Sequence, residues 1–501
     1  MSEHPEPELA ERAAERHVVV VGGGVAGLVA ARECAKVGMR VTLLEASDAL
    51  GGAVRRAELD GVVLDAGAES YATRGGHVRK LVAELGLTER VQSPATGGAW
   101  LAGVPGQEPA PLPIGGILGI PANPFADDVR RVIGWRGAWR AYVDRLRPPL
   151  TIGHQRSLGR LVASRMGARV LERLVAPVVS GVYSAHPDDV DVDVAAPGLN
   201  AALTRVGSLS GAVDALRGQQ QSARKDKAPG SAVEGLIGGM GTLVDALRAD
   251  LEKLGGVVRT GSPVEALESA GAGWTVAVRP VEGDEDPDAA DPGTLSADSA
   301  ERLDADAVIV ATTEDAARDL LAGHVSDLGD RQAAPQIEIV SLLLDAPELD
   351  DAPRGTGVLT VPGSHVAKAL THATAKWAWL REAAGARHVV RVSFGSQGEP
   401  TATASLDDEA AASLALTEAS ALLGVDLSRD QLVGAHRARF TQSQPASLLG
   451  AAERRAASRA AVEAVPGLAA VGAWLSGTGL AQVVADAAAE ADRIRRHLLW
   501  D

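Results

Sequence analysis

Three glycines near the N-terminus give the chain its clearest chemical signal. Gly22, Gly24 and Gly27 form the spacing G-x-G-x-x-G between the β-branched run His17–Val21 and a helical pattern over residues 25–37. The first glycine of such a turn allows a tight bend, the second lets the backbone approach a pyrophosphate, and the third lets the helix pack on the strand. The spacing therefore predicts a turn that binds dinucleotide phosphates at a helix N-terminus.

The residues after this turn complete one βαβ unit. Gly38 ends the helical pattern, Arg40–Leu44 has the composition of a second buried strand, and Glu45 follows that strand directly. A carboxylate here can accept a hydrogen bond from a ribose hydroxyl, and it disfavours the 2′-phosphate of NADP. A turn with a purely structural role is the alternative. The strand, the helix, the second strand and the acid follow one another in the order that a nucleotide site needs.

Further glycine segments resemble the flavin amine oxidase superfamily. Residues 45–54 are EASDALGGAV and residues 64–70 are LDAGAES, and in that superfamily such segments wrap the ribityl chain and the flavin ring. Residues 466–481, PGLAAVGAWLSGTGLA, resemble the strand, glycine turn and helix that close its FAD site. The dipole of that helix would favour the negative charge of a reduced flavin. An ordinary strand–turn–helix is the alternative for this last segment.

The resemblance implies FAD as the cofactor and an α/β fold. The fold would have a Rossmann-type FAD-binding domain, a mixed antiparallel-sheet substrate domain and a helical segment. We expect the FAD-binding domain at residues 1–75, 232–320 and 440–501, the helical segment, a membrane-surface or substrate-entry region, at 90–215, and the substrate-binding domain at 325–435. The cofactor contacts that the resemblance implies are Gly22, Gly24, Val25, Ala26, Gly27, Glu45, Ala46, Gly52, Ala53, Gly67, Ala68, Glu69, Ser70, Val264, Phe440, Thr478, Gly479 and Leu480.

Segments outside the nucleotide-binding unit resemble the bacterial coproporphyrinogen III and protoporphyrinogen oxidases. They are residues 177–193 (PVVSGVYSAHPDDVDVD), 207–212 (GSLSGA) and 236–247 (LIGGMGTLVDAL), and Lys376-Trp377 and residues 391–395 (RVSFG) also fit. The resemblance covers nearly the whole chain. It implies that a porphyrinogen loses six hydrogens to flavin in three rounds, and that molecular oxygen reoxidises the flavin and yields hydrogen peroxide.

The composition, rich in alanine and arginine, is typical of actinobacteria, which are expected to oxidise coproporphyrinogen III before iron is inserted. We therefore expect coproporphyrinogen III as the substrate, and the sequence identifies no catalytic base. Protoporphyrinogen IX is the first alternative. A flavin oxidase for an amine or a polyene is the second, although three tyrosines and three phenylalanines are little material for an amine-binding aromatic cage. A non-enzymatic binding protein of the Rab-escort type is the third, because Ala53 and Ala481 depart from the family pattern.

A substrate with four carboxylates needs cationic partners. Arg74 follows the second glycine segment closely, and we expect it to bind a propionate at the flavin end of the cleft. Lys376 and Arg391 are the further candidates for substrate binding.

Composition and periodicity predict further elements. We expect strands over residues 257–264, 336–344 and 388–394, and a closing helix over residues 483–499. We expect a polar linker at 218–231, an acidic insertion at 282–302 and a helix break at Pro148-Pro149.

Residues 129–173 form a basic segment within an acidic chain. They hold eleven arginines and two acids, whereas the whole chain has a net charge of −16. Trp135, Trp139 and Leu146 recur at helical spacing, with Arg136, Arg140 and Arg147 roughly opposite them. A basic amphipathic helix suits anionic lipid, an acidic partner or a polyanionic substrate, and a solvated face is the alternative.

The remaining composition excludes several classes of protein. An acidic chain is a poor nucleic-acid binder. The single cysteine, Cys34, cannot form an internal disulfide, and the sequence has no zinc-binding spacing. Residues 1–16 lack the apolar core of a signal peptide, and no apolar window reaches the length of about 18 residues that a membrane span needs. We expect a cytoplasmic protein without a metal. Peripheral membrane contact and transfer to a ferrochelatase stay open.

Overall fold

The fold is known from a computed structural model that describes residues 7–147, 155–223, 233–271, 273–279, 301–331, 334–398, 400–441 and 447–500. Its strands, in chain order, are β1 (His17–Val21), β2 (Arg40–Leu44), β3 (Arg56–Leu59), β4 (Val62–Asp65), β5 (Tyr71–Ala72), β6 (Val91–Gln92), β7 (Ala99–Ala102), β8 (Ala110–Pro111), β9 (Gly116–Ile117), β10 (Ile120–Pro121), β11 (Val233–Leu236), β12 (Val257–Arg259), β13 (Val264–Ala270), β14 (Gly273–Val278), β15 (Glu301–Ala305), β16 (Ala307–Val310), β17 (Gln336–Leu344), β18 (Gly357–Thr360), β19 (Ala369–His372), β20 (His388–Phe394), β21 (Leu432–Thr441) and β22 (Leu468–Ala470).

The α-helices connect these strands and form a separate cluster in the first half of the chain. In chain order they are α1 (Pro7–Glu15), α2 (Val25–Ala35), α3 (His77–Glu84), α4 (Asp127–Tyr142), α5 (Leu158–Met166), α6 (Ala168–Val170), α7 (Ala176–Tyr183), α8 (Val192–Ala195), α9 (Leu199–Val206), α10 (Leu209–Ala223), α11 (Gly241–Lys253), α12 (Glu314–Leu321), α13 (Ala373–Lys376), α14 (Ala378–Ala384), α15 (Asp408–Leu423), α16 (Ala451–Glu463), α17 (Ala473–Ser476) and α18 (Leu480–Trp500).

A parallel sheet of five strands contains the βαβ unit. Its strand order is β12-β2-β1-β16-β22, so distant parts of the chain meet in one sheet. The valines of β1 alternate between two cores. Val18 and Val20 pack with the helices α2, α11 and α18, whereas Val19 and Val21 pack with β14 and α12. This burial on both faces explains why the strand is a continuous apolar run.

A second sheet, of seven strands, has the order β21-β17-β20-β19-β18-β7-β8. Its neighbouring strands are antiparallel, except that β18 and β7 are parallel. One face is covered by α15, which packs on apolar residues of β17 and β20. On the opposite face, Leu343 and Val389 pack with Trp377 and with the β3–β4 hairpin. This face therefore meets the segment that connects the hairpin to β5.

The helices α4 to α9 and the first half of α10 pack around a third hydrophobic core. Helix α7 reaches the second sheet, where a Cβ on Gly181 would lie 2.7 Å from Leu359 Cδ2 of β18. Two strands from this part of the chain, β7 and β8, belong to the seven-stranded sheet. The proposed domain boundaries stay predictions, but residues 99–111 contribute to the sheet and not to the helices.

The predicted α/β fold class is confirmed, and several elements lie where the sequence places them. The strands β1, β2, β17 and β20 have the predicted bounds, and the closing helix, expected over residues 483–499, spans Leu480–Trp500. One predicted strand, over residues 257–264, is wrong. It is two strands, β12 and β13, because the chain turns where Gly261 and Ser262 donate their N–H groups to Ser47 O and Glu45 O.

Three other predictions fall partly or wholly outside the described residues. The polar segment expected to be a linker, residues 218–231, is helical up to Ala223, where α10 ends. Alanine and glutamine are good helix formers, which explains this extension. The acidic insertion expected over residues 282–302 is described only at Glu301 and Arg302, which begin β15. The helix break expected at Pro148-Pro149 lies outside the described residues.

Candidate cofactor and substrate site

Two helices begin at the same edge of the parallel sheet. Because β1 and β22 run in the same direction, α2, which follows β1, and α18, which follows β22 after the short α17, both start beyond the carboxyl ends of the strands. The first hydrogen bonds at these helix starts are from Leu28 N to Gly24 O and from Gln482 N to Gly479 O. The earlier N–H groups of each helix have no partner within it. Both helices therefore present N–H groups and positive dipole ends at the edge where α/β sheets bind ligands.

An open approach to this edge lies between Gly24 and Gly52. Their loops are joined by the hydrogen bond from Gly51 N to Gly23 O, 2.9 Å. A Cβ on Gly24 would have only Gly52 Cα as a neighbour, at 4.0 Å. The Gly24 backbone is at φ −68°, which any residue can adopt, so its conformation does not require glycine. The absent side chain instead leaves a cradle for a phosphate, and the residues fit a dinucleotide.

Glu45 is hydrogen-bonded to the glycine turn between β1 and α2. Its carboxylate accepts from Gly23 N at 2.6 Å, and from Ser47 N and Ser47 Oγ at 2.9 and 2.7 Å. A carboxylate has about four acceptor positions, so one remains for a ribose hydroxyl. The roles of Gly23 and Ser47 were not predicted, although three consecutive glycines at 22–24 were a signal. Ala46 is exposed between Glu45 and Ser47, and Val264 begins the strand that follows the turn at Ser262.

The second glycine segment packs against the first. Ala68 N donates to Ala53 O at 3.0 Å. A Cβ on Gly67 would lie 2.0 Å from Ala53 O and 3.2 Å from Phe440 Cζ, so only glycine fits there. Gly52, Ala53, Gly67, Ala68 and Phe440 are therefore brought together, as their predicted roles require.

An ion-paired cluster holds this second glycine segment to the seven-stranded sheet. Glu69 Oε1 accepts from Lys376 Nζ at 2.5 Å, and Glu69 Oε2 accepts from Arg391 Nη1 at 2.7 Å. Arg391 also donates to Gly67 O at 2.5 Å and to Ala66 O at 3.3 Å. Burial would raise the pKa of Glu69, but the charges of Lys376 and Arg391 outweigh it and lower this pKa to about 2.

The cluster gives Lys376 and Arg391 a partner within the protein. Both are predicted to bind substrate, and both donate to the carboxylate of Glu69; their substrate role stays a prediction. Arg391 is only 6% exposed. Because the partners are separated by 307 and 322 residues, no local pattern could indicate the pairing.

Asp65 is a buried carboxylate that the sequence did not single out. Its two oxygens accept from Met240 N at 2.9 and 3.1 Å, at the start of α11. Burial raises the pKa of Asp65 to about 6, against the opposing effect of the Met240 N–H. The available signals were the Asp-Ala-Gly and Gly-Gly-Met-Gly segments, which meet here.

The other predicted contact residues lie at the ends of these elements. Val25 and Ala26 are buried in the first turn of α2, and Ser70 precedes β5. Thr478 and Leu480 flank Gly479 at the start of α18. Arg74 is exposed in the turn after β5.

The aromatic stripe of the basic segment faces outward. Trp135 and Trp139 are each 58% exposed, and with Phe125 and Tyr142 they form a surface that we call the ring surface. The buried side of α4 consists of Val129, Val132, Ile133, Gly137, Ala138 and Ala141. These mostly smaller residues let the helix pack closely, which leaves the large rings on the outside. Arg140 and Arg147 do not lie free on a polar face, because both donate to Ser164 O at the end of α5.

Within the described ranges, no cluster of His, Cys, Asp and Glu could hold a metal ion. In the same ranges, no helix is both long and apolar enough to span a bilayer. Cys34 is fully buried in the core beside α18.

Comparison with known proteins agrees with this architecture. A family profile described as flavin-containing amine oxidoreductase matches residues 25–495. Coproporphyrinogen III oxidase of Mycobacterium bovis is 30% identical over 475 residues, covering 93% of this chain and 94% of that protein. The coproporphyrinogen III oxidase of Bacillus subtilis is 26% identical over 482 residues, covering 93% and 95%.

Solved structures share the fold. A candidate protoporphyrinogen oxidase from Exiguobacterium sp. 255-15 has a TM-score of 0.79 at 23% identity, covering 96% of this chain and 99% of that one. Putrescine oxidase bound to putrescine has a TM-score of 0.60 at 15% identity, covering 97% and 99%. Because the family profile spans nearly the whole chain, the protein belongs to the flavin-containing amine oxidoreductases.

Proposed function

We propose that the chain is an FAD-dependent oxidase of haem biosynthesis. It would convert coproporphyrinogen III and three molecules of oxygen into coproporphyrin III and three molecules of hydrogen peroxide. The observation that carries this proposal is the similarity to coproporphyrinogen III oxidases along 93% of the chain. It extends over the seven-stranded sheet and the helical part as well as the nucleotide-binding turn, which alone would fit many flavoproteins.

The predicted contact residues would hold FAD along the carboxyl edge of the parallel sheet. The pyrophosphate would lie at the start of α2, beside Gly24 and Gly52, and the adenosine ribose at Glu45. The ring system would lie by Gly67 and Phe440, with the start of α18 nearby. Bound there, the flavin supplies the two-electron chemistry of each of the three rounds.

The chain's own residues orient the reactants. Lys376, Arg391 and Glu69 fix the second glycine segment, so we assign Lys376 and Arg391 to positioning. Arg74 is exposed, and no carboxylate among the described residues pairs with it. It is therefore our candidate for binding a propionate, since guanidinium groups pair well with carboxylates.

The test follows porphyrin fluorescence and hydrogen peroxide under air, with flavin-loaded protein and three substrates in parallel: coproporphyrinogen III, protoporphyrinogen IX and putrescine. Faster turnover of coproporphyrinogen III, with hydrogen peroxide formed in a threefold ratio to porphyrin, is the expected result. Faster turnover of protoporphyrinogen IX would instead identify that porphyrinogen as the substrate. Putrescine turnover would indicate an amine oxidase, and a protein that retains no flavin would favour a binding protein.

The ring surface supports a second part of the proposal, a peripheral contact with anionic membranes. Arg130 lies over the Trp135 ring at 4.3 Å, and Arg145 over the Tyr142 ring at 5.2 Å. Exposed rings beside arginines are the combination that binds the interfacial region of an anionic bilayer. A porphyrin product could be handed to a ferrochelatase at the same place.

A further inference from the structure

Lys368 stands immediately before β19, and its backbone is fixed on both sides. Its N–H donates to Ser393 O at 2.9 Å, and its carbonyl accepts from the Thr360 hydroxyl at 3.0 Å. The Glu418 carboxylate of α15 accepts from the N–H of the neighbouring residue, Ala367, at 2.9 Å. The start of the Lys368 side chain is therefore held at one end of the seven-stranded sheet.

The Lys368 ammonium has a hydroxyl partner but no counter-ion. Its Nζ donates to Ser184 Oγ at 2.6 Å, and no carboxylate in the described part of the chain forms an ion pair with it. Burial lowers the pKa of Lys368 to about 8. A partly desolvated charge is costly unless an anion or several hydrogen bonds compensate it. An ammonium has three donors, so two remain for an anionic ligand.

Ser184 is held in position by its own backbone. It caps α7 in the left-handed conformation, at φ 53° and ψ 30°, which costs a non-glycine residue about 1 kcal/mol or more. Its N–H donates to Ser180 O at 3.0 Å, and its carbonyl accepts from Gln397 N at 2.8 Å. The helix end is thus tied to the segment after β20, and the hydroxyl meets Lys368 from a fixed direction.

Arg74 is a second cation without a counter-ion among the described residues. It comes from the turn after β5, whereas Lys368 comes from the start of β19. Its positive charge opposes the rise that burial causes in the pKa of Tyr183, the residue next to Ser184. Arg74 is therefore the candidate for a second cationic contact.

The strand register relates the end of α7 to the flavin-contact segment. Arg391, which binds Gly67 O, pairs with Thr371 of β19, so the two share one face of the sheet. Ala369, two residues before Thr371, lies on the same face, and so does Leu359, which pairs with Ala369. Helix α7 lies against Leu359. Lys368 is therefore hydrogen-bonded to a helix on the face that carries Arg391.

We infer that Lys368, steadied by Ser184, binds a propionate of the porphyrinogen at the end of the site away from the second glycine segment, with Arg74 binding another. This inference rests on the proposed function and adds a specificity residue to it. Lys368, fixed by Ser184, and Arg74 on the turn after β5 would together orient a tetracarboxylate macrocycle over the flavin-contact segment.

The test compares variants of the flavin-loaded protein: Lys368→Met, Lys368→Arg, Ser184→Ala and, as a control, Lys253→Met. Lys253 is exposed on α11 and has no ion pair among the described residues. Flavin content and melting temperature are measured first, then KM and kcat with coproporphyrinogen III, and then binding of coproporphyrin III by fluorescence. A hydrogen-bonded ion pair of about 1.5–3 kcal/mol corresponds to roughly a 10- to 100-fold loss of affinity.

We expect Lys368→Met to raise KM and the coproporphyrin III dissociation constant at least about tenfold, with kcat and flavin content little changed. Lys368→Arg should restore most of the affinity, Ser184→Ala should show a smaller loss, and Lys253→Met none. Unchanged binding by Lys368→Met in an active enzyme overturns the Lys368 site alone. So does a stable Lys368→Arg variant that binds as weakly as Lys368→Met. A wild-type protein that turns over no porphyrinogen overturns the proposed function and the Lys368 site together.

Discussion

At the scale of single residues, Glu69 joins two parts of the molecule that are distant in the chain. Its carboxylate meets Lys376 and Arg391, and its side chain is only 13% exposed. Removing one member of a buried ionic cluster leaves the other charges uncompensated. This costs more stability than replacing the whole cluster by apolar residues of similar volume. The segment that carries Gly67 and Ala68 therefore depends on one acid.

We expect Glu69→Gln to lower the free energy of unfolding by about 3–5 kcal/mol, because the buried Arg391 and the half-buried Lys376 lose their counter-ion. It should also weaken flavin binding, since Arg391 no longer fixes Gly67. Urea unfolding and flavin titration measure both. Glu58→Gln, an exposed acid in the neighbouring hairpin, is the matched control and should change stability by less than about 0.5 kcal/mol. Equal effects of the two substitutions would contradict the role of the cluster.

The same pair of proteins tests the pKa of Glu69. Because its folded-state pKa, about 2, lies below the ordinary value of 4.5, ionised Glu69 stabilises the folded protein at neutral pH. That contribution is lost as the pH falls from 4.5 toward about 2. The stability difference between wild type and Glu69→Gln should therefore shrink as the pH falls through this window. A constant difference would show that the carboxylate has an ordinary pKa.

At the scale of elements, the βαβ unit formed by β1, α2 and β2 contains glycines that are needed for different reasons. A Cβ on Gly27 would lie 1.9 Å from Gly22 O, so this glycine lets the helix pack on the strand. A Cβ on Gly24 would have open space around it. Gly38, at φ +89°, also has open space, but its left-handed backbone disfavours any side chain.

We expect three alanine substitutions to separate these requirements. Gly24→Ala should leave the flavin-free protein as stable as wild type and weaken flavin binding about tenfold or more, or about 1.4 kcal/mol. Gly27→Ala should destabilise the flavin-free protein by about 1–3 kcal/mol or more, and Gly38→Ala by about 1–2 kcal/mol with flavin binding retained. Thermal unfolding without flavin, followed by flavin titration, distinguishes them. If Gly24→Ala bound flavin with wild-type affinity, the pyrophosphate would not lie at that turn.

Elements with strong local periodicity could be predicted from the sequence, whereas contacts between distant elements could not. The strands β17 and β20 are alternating segments rich in β-branched residues, and their bounds are as predicted. The outward position of Trp135 and Trp139 was not predicted. Helical spacing shows that residues share a face, but not whether that face is covered by the rest of the protein. In α4 the buried face contains small residues such as Gly137 and Ala138.

The candidate site shows the same division. The fingerprint glycines and Glu45 could be identified because the nucleotide-binding turn is local. The Glu69 cluster, the Asp65 carboxylate and the Lys368–Ser184 pair could not, because each joins segments that meet only in the folded protein. The assignment of individual residues to FAD and substrate stays a prediction.

At the scale of the whole molecule, charge and exposed rings are unevenly distributed. The chain carries a net charge of −16, yet the ring surface lies in its most basic segment. An acidic body with a basic, aromatic patch should approach an anionic bilayer in one orientation, with this patch first.

We expect the double variant Trp135→Ala and Trp139→Ala to reduce binding to anionic vesicles at least about tenfold, because two interfacial anchors are lost. Sedimentation with vesicles of anionic phospholipid at low and high salt is the measurement. Trp500→Ala is the control, since Trp500 is similarly exposed, at 61%, but lies on α18. Equal binding by all three proteins would mean that the ring surface meets something other than a membrane.

The composition of the parallel sheet has a consequence for the order in which the protein can mature. Translation produces β1, β2 and α2 first, but β22 and α18 come from residues 468–500. Until these leave the ribosome, β16 has an unpaired edge, and the apolar side of α2 that packs with α18 is uncovered. The proposed flavin site includes the start of α18, so it is complete only after synthesis. Until then the nascent chain has an exposed strand edge, a state that favours aggregation. Chaperone capacity during this interval, and flavin supply after it, should therefore determine the yield of folded protein.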